Sequence, residues 1–347
     1  MAKIVECVPN FSEGRDLDII KVITDQISAV EGVKLLGADP DKDYHRTVVT
    51  LVGEPDAVVE AAYAATKKAA ELIDMTRHQG EHPRMGATDV VPFVPVSGVT
   101  MEDCVQLAHR YGQRVGEELG IPVYLYEEAA TRPERRNLAK VRKGQYEGLA
   151  EKLKDPEWKP DYGPAEMNER SGAVITGARV FLIAYNVNLD TDDVDLANTI
   201  AQKVRESGRV LKDDQGQTIR DEMGKAKREP GTLKAVKAMG VLMEEQHISQ
   251  VSMNLVNYQI TPPHVAFEEC RRQAEDLGAR ITGSEIVGLT PLEALLMAAR
   301  HHLQAQGRET DLEPREMVQA AVEYLGLSQL QPFDADQKVI EFQIGAA

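Results

Sequence analysis

Residues 78–96 read HQGEHPRMGATDVVPFVPV. The second half, DVVPFVPV (89–96), is a short apolar run with strand character. The first half sets His78 and His82 among Gly80, Pro83 and Gly86, residues that break helices. A strand at 89–96 decides the fold, because it completes a set. KIVECV (3–8) reads as a first strand, and DLDIIKVITDQISAV (16–30) places Leu17, Ile20, Ile23, Ile27 and Val30 at helical spacing. VKLLGADP (33–40) and the β-branched run RTVVTLVG (46–53) are the next two strands. Pro55 opens a helix over 56–74. The order is β-α-β-β-α-β, a split-βαβ unit.

The second half of the chain repeats that order. A strand is expected at 179–189 and a helix at 192–207, with Asp190 or Thr191 as its N-cap. Strands follow at 234–244 and 249–260, then a helix over 262–278 ended by Gly278, then a strand at 279–289. Between the halves lie a helix at 101–119, a strand at 122–126, a basic segment and a proline-rich link, DPEWKPDYGP (155–164), holding the single tryptophan. Two helices follow residue 291, and QKVIEFQI (337–344) reads as a terminal strand or arm. The fold class is therefore α/β (α+β): two split-βαβ, ferredoxin-like subdomains with helices on the sheets, plus a helical C-terminal extension. The expected domains are 1–178, 179–300 and 301–347. A cleft between two such halves is the usual place for a ligand.

Composition narrows the function. A net charge of -16 disfavours nucleic acid and anionic membrane as partners. No apolar run approaches the ~20 residues that span a bilayer. The N-terminus starts on a strand-like run without a long apolar signal core, so a cytoplasmic protein is expected. Cys7, Cys104 and Cys270 are scattered and form no CxxC pair, which fits a reducing compartment. One stretch runs against the acidity: TRPERRNLAKVRK carries Arg132, Arg135, Arg136, Lys140, Arg142 and Lys143 against Glu134 alone. It reads as a solvated helix face or as a local patch for a polyanionic small molecule.

Of eight histidines, His82 stands in the most suggestive setting. Pro83 biases its backbone to an extended form, and the flanking glycines allow tight turns. A stiff loop leading into a central strand is a good mount for a side chain that faces a ligand. A metal site using His78, His82 and Glu81 or Asp89 is disfavoured, since HQGEH is not HExxH and Gly80 and Pro83 oppose the helix that motif needs. Two readings remain: a histidine that only hydrogen-bonds its loop, or a general base held by a carboxylate. Asp39, Asp41, Asp43 and Asp89 are the candidate partners. Asp39, closest to the strand, is preferred. In the ECVPNFSEG loop, Asn10 or Ser12 could cap the first helix, and its amides could receive a carboxylate. P-loop, Rossmann and GxSxG signatures are absent.

Six stretches taken together resemble the glutamate formimidoyltransferase family, the folate-dependent formiminotransferases. They are ECVPNFSEGR (6–15), RTVVTLVGEP (46–55), HPRMGATDVVPFVP (82–95), GARVFLIAYNVNL (177–189), EIVGLTP (285–291) and PFDADQKVIEF (332–342). They span the chain in order. The resemblance implies transfer of a formimino group from N-formimino-L-glutamate to N5 of tetrahydrofolate, the co-substrate, with release of L-glutamate. It implies that His82 is the catalytic histidine, that Asp39 is its acidic neighbour, and that folate lies in a groove between the halves. The segment 163–179, GPAEMNERSGAVITGAR, would touch the pterin, with Gly163, Gly172, Thr176, Gly177 and Arg179 as candidate contacts. Arg179 and the basic run 132–143 would meet carboxylates. The family also implies a homodimer. Larger members carry a cyclodeaminase after the equivalent of IEF, so here a separate protein is expected to take the product onward. Two alternatives stay open: an ATP-dependent enzyme acting on 5-formyltetrahydrofolate, and a non-catalytic ligand-binding protein.

Overall fold

The computed structural model describes residues 3–345. They form two compact units that divide between Val180 and Phe181, each with its own sheet.

In the first unit, β1 (Ile4–Cys7) and β2 (Asn10–Phe11) form one interrupted strand. Both segments pair antiparallel with β4 (Arg46–Gly53) on one side and β5 (Thr88–Ser97) on the other. The hairpin partner β3 (Val33–Asp41) lies outside β4. Counting β1, β3, β4 and β5 as the four strands of the unit, their order is 2-3-1-4, as a split-βαβ fold requires. Three helices cover one face: α1 (Leu17–Ser28), α2 (Pro55–Leu72) and α3 (Met101–Leu119). Alternation in the strands points Val5, Cys7, Val49, Leu51, Val91 and Phe93 at them, and Ile23, Ile27, Ala62, Leu107 and Tyr111 answer from the helices.

The sheet is wider than the sequence suggests. The stretch 163–179, expected as a link, contains β7 (Val174–Ala178). It is fully buried and runs parallel between β5 and β6 (Val123–Glu127). Two short helices, α4 (Leu138–Val141) and α5 (Leu149–Lys152), come from the basic segment and its sequel. With Leu153 and Trp158, they cover the other face of these strands against Tyr124, Tyr126, Val90 and Ile175. The basic run is therefore mostly structural. Arg135 is 1% exposed and bonds Asp161 at 2.7 Å and the carbonyls of Glu157 and Lys159. Arg136 pairs with Glu128, while Lys140 and Lys143 stay exposed.

The second unit repeats the order. β8 (Ile183–Leu189), β11 (Val236–Met243), β12 (Ile248–Leu255) and β13 (Ile281–Val287) line up as β11-β12-β8-β13, again 2-3-1-4. α6 (Val194–Val204) and α7 (Pro263–Asp276) are its crossover helices. α8 (Leu292–Ala305) and α9 (Pro314–Leu325) pack as a pair. Between α6 and β11, β9 (Arg209–Val210) and β10 (Arg228–Glu229) form the base of an exposed ribbon. Two Asp-x-x-Gly turns continue it, Asp213–Gly216 and Asp221–Gly224. In each, the aspartate accepts two backbone N–H groups. Met223, in the second turn, is 88% exposed.

Several local expectations need correction. The strand expected at 179–189 starts at Ile183, after Arg179 donates its N–H to Phe93 and the chain leaves the first sheet. Residues 337–344 are not a strand. They lie in two helical turns, α10 (Ala335–Lys338) and α11 (Ile340–Gln343), and only Val339 between them bridges to Thr290. Asp16, not Asn10 or Ser12, caps α1, since Asn10 lies in β2 and Ser12 bonds Gly86. Asp193, not Asp190 or Thr191, caps α6, because Asp190 instead holds Arg280. The boundary placed at 300/301 falls inside α8.

Gly172 ties β7 to the histidine segment. Its φ is +67°, and a Cβ there would sit 2.1 Å from the Met85 carbonyl. Only glycine permits both the left-handed backbone and the approach. Gly172→Ala should lower unfolding stability by about 2 kcal/mol or more, measured by urea titration. A change under about half a kcal/mol would show that the approach is soft.

Candidate active site at one end of the first sheet

The carboxyl ends of β2 and β3 and the amino ends of β4 and β5 meet at one end of the first sheet. Everything that surrounds His82 is mounted there. Asp41 turns the chain after β3 by accepting the N–H groups of Asp43 and Tyr44, and His45 completes the turn at φ +48°. Gly80 lets the 78–82 loop lie on this turn, since a Cβ there would be 2.4 Å from the Tyr44 carbonyl. The result is a narrow pocket lined by Ser12, Tyr44, His45, Arg46, His78, His82, Arg84 and Asp89.

Three of the lining histidines divide into two kinds. His45 reaches Gln79 O through Nδ1 and Glu13 Oε1 through Nε2, each at 3.0 Å. His78 donates Nε2–H to His45 O at 2.9 Å and accepts Arg84 Nε at Nδ1 at 3.2 Å. The two rings stack with centroids 4.3 Å apart. Arg84 is neutralised in turn by both oxygens of Glu147. Both rings are thus used up in structure. His82 differs. Its Nδ1 is buried and has no hydrogen-bond partner among the described residues. Its ring meets Tyr44 with centroids 5.9 Å apart.

The field at His82 is cationic. Burial first, then Arg46 and Arg142, push its imidazole down to about 4, against a partial lift from Asp89 and from the neighbouring Pro83 backbone. The ring is neutral at physiological pH. Asp89 is 2% exposed in its side chain, accepts the Met85 N–H at 2.8 Å and pairs with Arg142. The Nε atoms of Arg46 and Arg142 are buried without partners among the described residues. Burial and then Arg142 lower Arg46 below its ordinary value.

The other candidate residues lie apart from this pocket. Asp39 is exposed on β3, opposite Val48, and does not line it. The carboxylate that bears on His82 is Asp89, one of the four weighed from sequence. Thr176 is fully buried and its hydroxyl bonds Val91 O at 2.8 Å. Gly177 makes room for the Tyr126 ring, and Gly163, at φ +79°, for Gly116 of α3. Arg179 bonds Val180 O and reaches Tyr126. Gly172 acts through Met85 and Gly86, next to the pocket. Sequence reasoning missed Glu13, Arg46 and Arg84. Among the described residues, no cluster of three or more histidine, cysteine or acidic side chains is placed to hold a metal ion, and no helix is long and apolar enough to cross a membrane.

Two split-βαβ units in tandem, one with a neutral histidine near two arginines and a carboxylate, define the class of protein as α/β with a candidate site at one end of its first sheet. Comparison with known proteins narrows this. Residues 4–179 match the model of the formiminotransferase domain's N-terminal subdomain, and residues 184–345 that of the formiminotransferase domain. The chain belongs to the formiminotransferase family. It is 49% identical to formimidoyltransferase-cyclodeaminase of Dictyostelium discoideum, over 99% of this chain and 61% of that one. It is 45% identical to glutamate formimidoyltransferase of Streptococcus pyogenes serotype M1, over 88% of this chain and 95% of that one. The Thermoplasma acidophilum glutamate formimidoyltransferase is 46% identical, over 92% and 98% respectively. The chain thus spans about 61% of the bifunctional relative and nearly all of the two shorter ones.

Glu13 braces the pocket. Its Oε1 accepts the N–H groups of Gly14, Arg15 and Asp16 and faces His45. Burial alone would raise this carboxyl, but the amides of Asp16 and Arg15, with His45, outweigh it and hold the group below its ordinary value. The depressed value means that its stabilisation is present above pH ~4.5 and lost as pH falls through the folded value. Glu13→Ala should therefore cost about 2 kcal/mol at pH 7. The gap to wild type should narrow in acid, as read by denaturation at several pH values. A gap independent of pH would show that the carboxylate charge plays no part.

Proposed function

We propose that the chain transfers the formimino group from N-formimino-L-glutamate to N5 of tetrahydrofolate, with His82 as the proton shuttle. The observation that carries this reading is the idle, buried Nδ1 of His82 in a pocket where the other lining histidines are fully bonded. Family membership and the two shorter relatives, each matched over nearly its whole length, supply the reaction.

The chemistry needs one proton moved. A bond forms between N5 and the formimino carbon, and the bond from that carbon to the glutamate nitrogen breaks. N5 becomes acidic as it attacks and must lose its proton. The glutamate nitrogen leaves poorly unless it gains one. A neutral imidazole accepts the first proton and returns it to the second site. No covalent intermediate on the protein is required. Asp89, rather than Asp39, supplies the carboxylate whose charge favours the transient imidazolium. Tetrahydrofolate is a co-substrate. The free, buried cysteines accord with a cytoplasmic setting. Homodimer formation rests on the family resemblance.

His82→Asn should reduce transfer roughly 10²- to 10⁴-fold and leave the thermal midpoint within a few degrees of wild type. Turnover within about tenfold of wild type would remove His82 from the mechanism. The pH profile gives a separate check. With the free ring at about 4, the base form prevails throughout the neutral range. On acidification from pH 7 to 5.5, kcat/KM should not fall on account of this group. A fall centred near 6.5 would mean that His82 titrates as an ordinary histidine.

A further inference from the structure

The charges around His82 do not balance. The groups that face it are Arg46 from β4, Arg142 at the end of α4, Asp89 from β5 and Tyr44 from the hairpin turn. Arg84, also in the lining, is already neutralised by Glu147. Two guanidiniums therefore stand against the buried carboxylate of Asp89, with Asp41 acting on Arg46 from the turn. Both oxygens of that carboxylate are engaged, one by the Met85 amide and one by Arg142. Arg46 and Arg142 each bury an Nε with no partner among the described residues, and they repel one another. Burying unpartnered donors and surplus positive charge destabilises a fold unless something answers them.

The geometry points to a carboxylate subsite beside His82, formed by the guanidiniums of Arg46 and Arg142, that takes the α-carboxylate of the formimino donor. Which carboxylate it is rests on the transferase reading above; the subsite itself does not. In N-formimino-L-glutamate the formimino group hangs on the α-nitrogen, so the α-carboxylate is one carbon from the nitrogen that departs. The carboxylates of folate's own glutamate are held away from N5 by the aminobenzoyl spacer. The donor's γ-carboxylate lies two carbons further along, so the α-carboxylate is the one held nearest a ring that serves N5. Guanidinium is the group best shaped for it.

Occupation of the subsite changes the base. After burial, the two arginines are the main reason the free ring sits at about 4. At that value it is always neutral but a poor acceptor. A carboxylate between the guanidiniums offsets their field and lifts the ring back toward 6.5, where acceptance near neutral pH is efficient. The sign is fixed by linkage: the anion raises the ring's midpoint, so between the free and bound midpoints anion binding takes up a proton. The acid limb of kcat should accordingly lie at higher pH than that of kcat/KM.

The full chain can be titrated with L-glutamate, glutarate and p-aminobenzoyl-L-glutamate while the histidine Cε1–H resonances are followed by NMR. The His82 signal is identified by its loss in His82→Gln. L-glutamate should move the His82 midpoint up by about one pH unit or more. Calorimetry in two buffers of different ionisation enthalpy should show proton uptake near pH 5.5. Arg46→Gln should weaken L-glutamate binding roughly tenfold or more and raise the His82 midpoint of the free protein. Its thermal midpoint should match or exceed wild type, since it removes a buried donor without a partner. Arg46→Lys, which keeps the charge, should keep the direction of the ring's response and bind more weakly.

An unmoved His82 midpoint, or binding to Arg46→Gln as tight as to wild type, would overturn the subsite. So would dependence on Arg46 shown by p-aminobenzoyl-L-glutamate and not by L-glutamate, which would place folate's tail there instead. Transfer is assayed alongside. Lost transfer with an intact anion response would remove the transferase reading and leave the subsite. Intact transfer with no response would remove the subsite alone.

Discussion

One carboxylate oxygen holds the working end of the first unit together. Glu13 Oε1 gathers three consecutive backbone N–H groups and the far nitrogen of His45. The amides lie between β2 and α1, and the imidazole lies on the hairpin between β3 and β4. The bond therefore ties two loops that are 32 residues apart. His45 then carries the load onward through its carbonyl to His78, and His78 to Arg84 and Glu147. Each link fixes the tautomer or rotamer of the next. Arg46 follows His45 directly, and His82 follows the loop that His78 anchors. Their positions are consequences of this brace.

The pocket shows how a stable scaffold can hold a costly site. Around the brace every donor finds an acceptor. A few residues away, His82 Nδ1, Arg46 Nε and Arg142 Nε find none. Thr88 Oγ1, Arg135 Nε, Ser249 Oγ and His264 Nδ1 also lack partners among the described residues, but three such atoms belong to residues around His82. Unmet polar atoms gathered around one side chain call for a physical account, and the carboxylate subsite proposed above supplies one.

Periodicity carried most of the fold. Strands at 33–41, 46–53 and 88–97 and a helix at 101–119 could be read within a residue or so, because alternation and helical spacing there are unbroken. β7 escaped because it is five residues long, contains Gly177, and pairs in parallel with strands that precede it by many residues. No local pattern announces such a partner. His82 was legible from its helix-breaking surroundings. Asp39 was preferred to Asp89 on closeness to a strand end, but its side chain is exposed while Asp89 is buried beside Arg142. Arg46 looked like the opening residue of a strand, and Arg142 like one more charge on a solvated run. Their roles depend on contacts across about 40 to 100 residues of chain, which spacing alone cannot register. Glu13 was hidden for a different reason: Asn10 and Ser12 are better capping types, and they drew attention from it.

The ribbon at 209–229 has a practical meaning of its own. Its two turns are closed by their own aspartates, Asp213 and Asp221, and Met223 stands almost wholly in solvent. Among the described residues, β9 and β10 pair only with each other and not with the second unit's four-stranded sheet. The tip is a natural attachment point: a fluorophore, an affinity tag or a tether spliced in there would leave the four paired strands of the second unit unbroken.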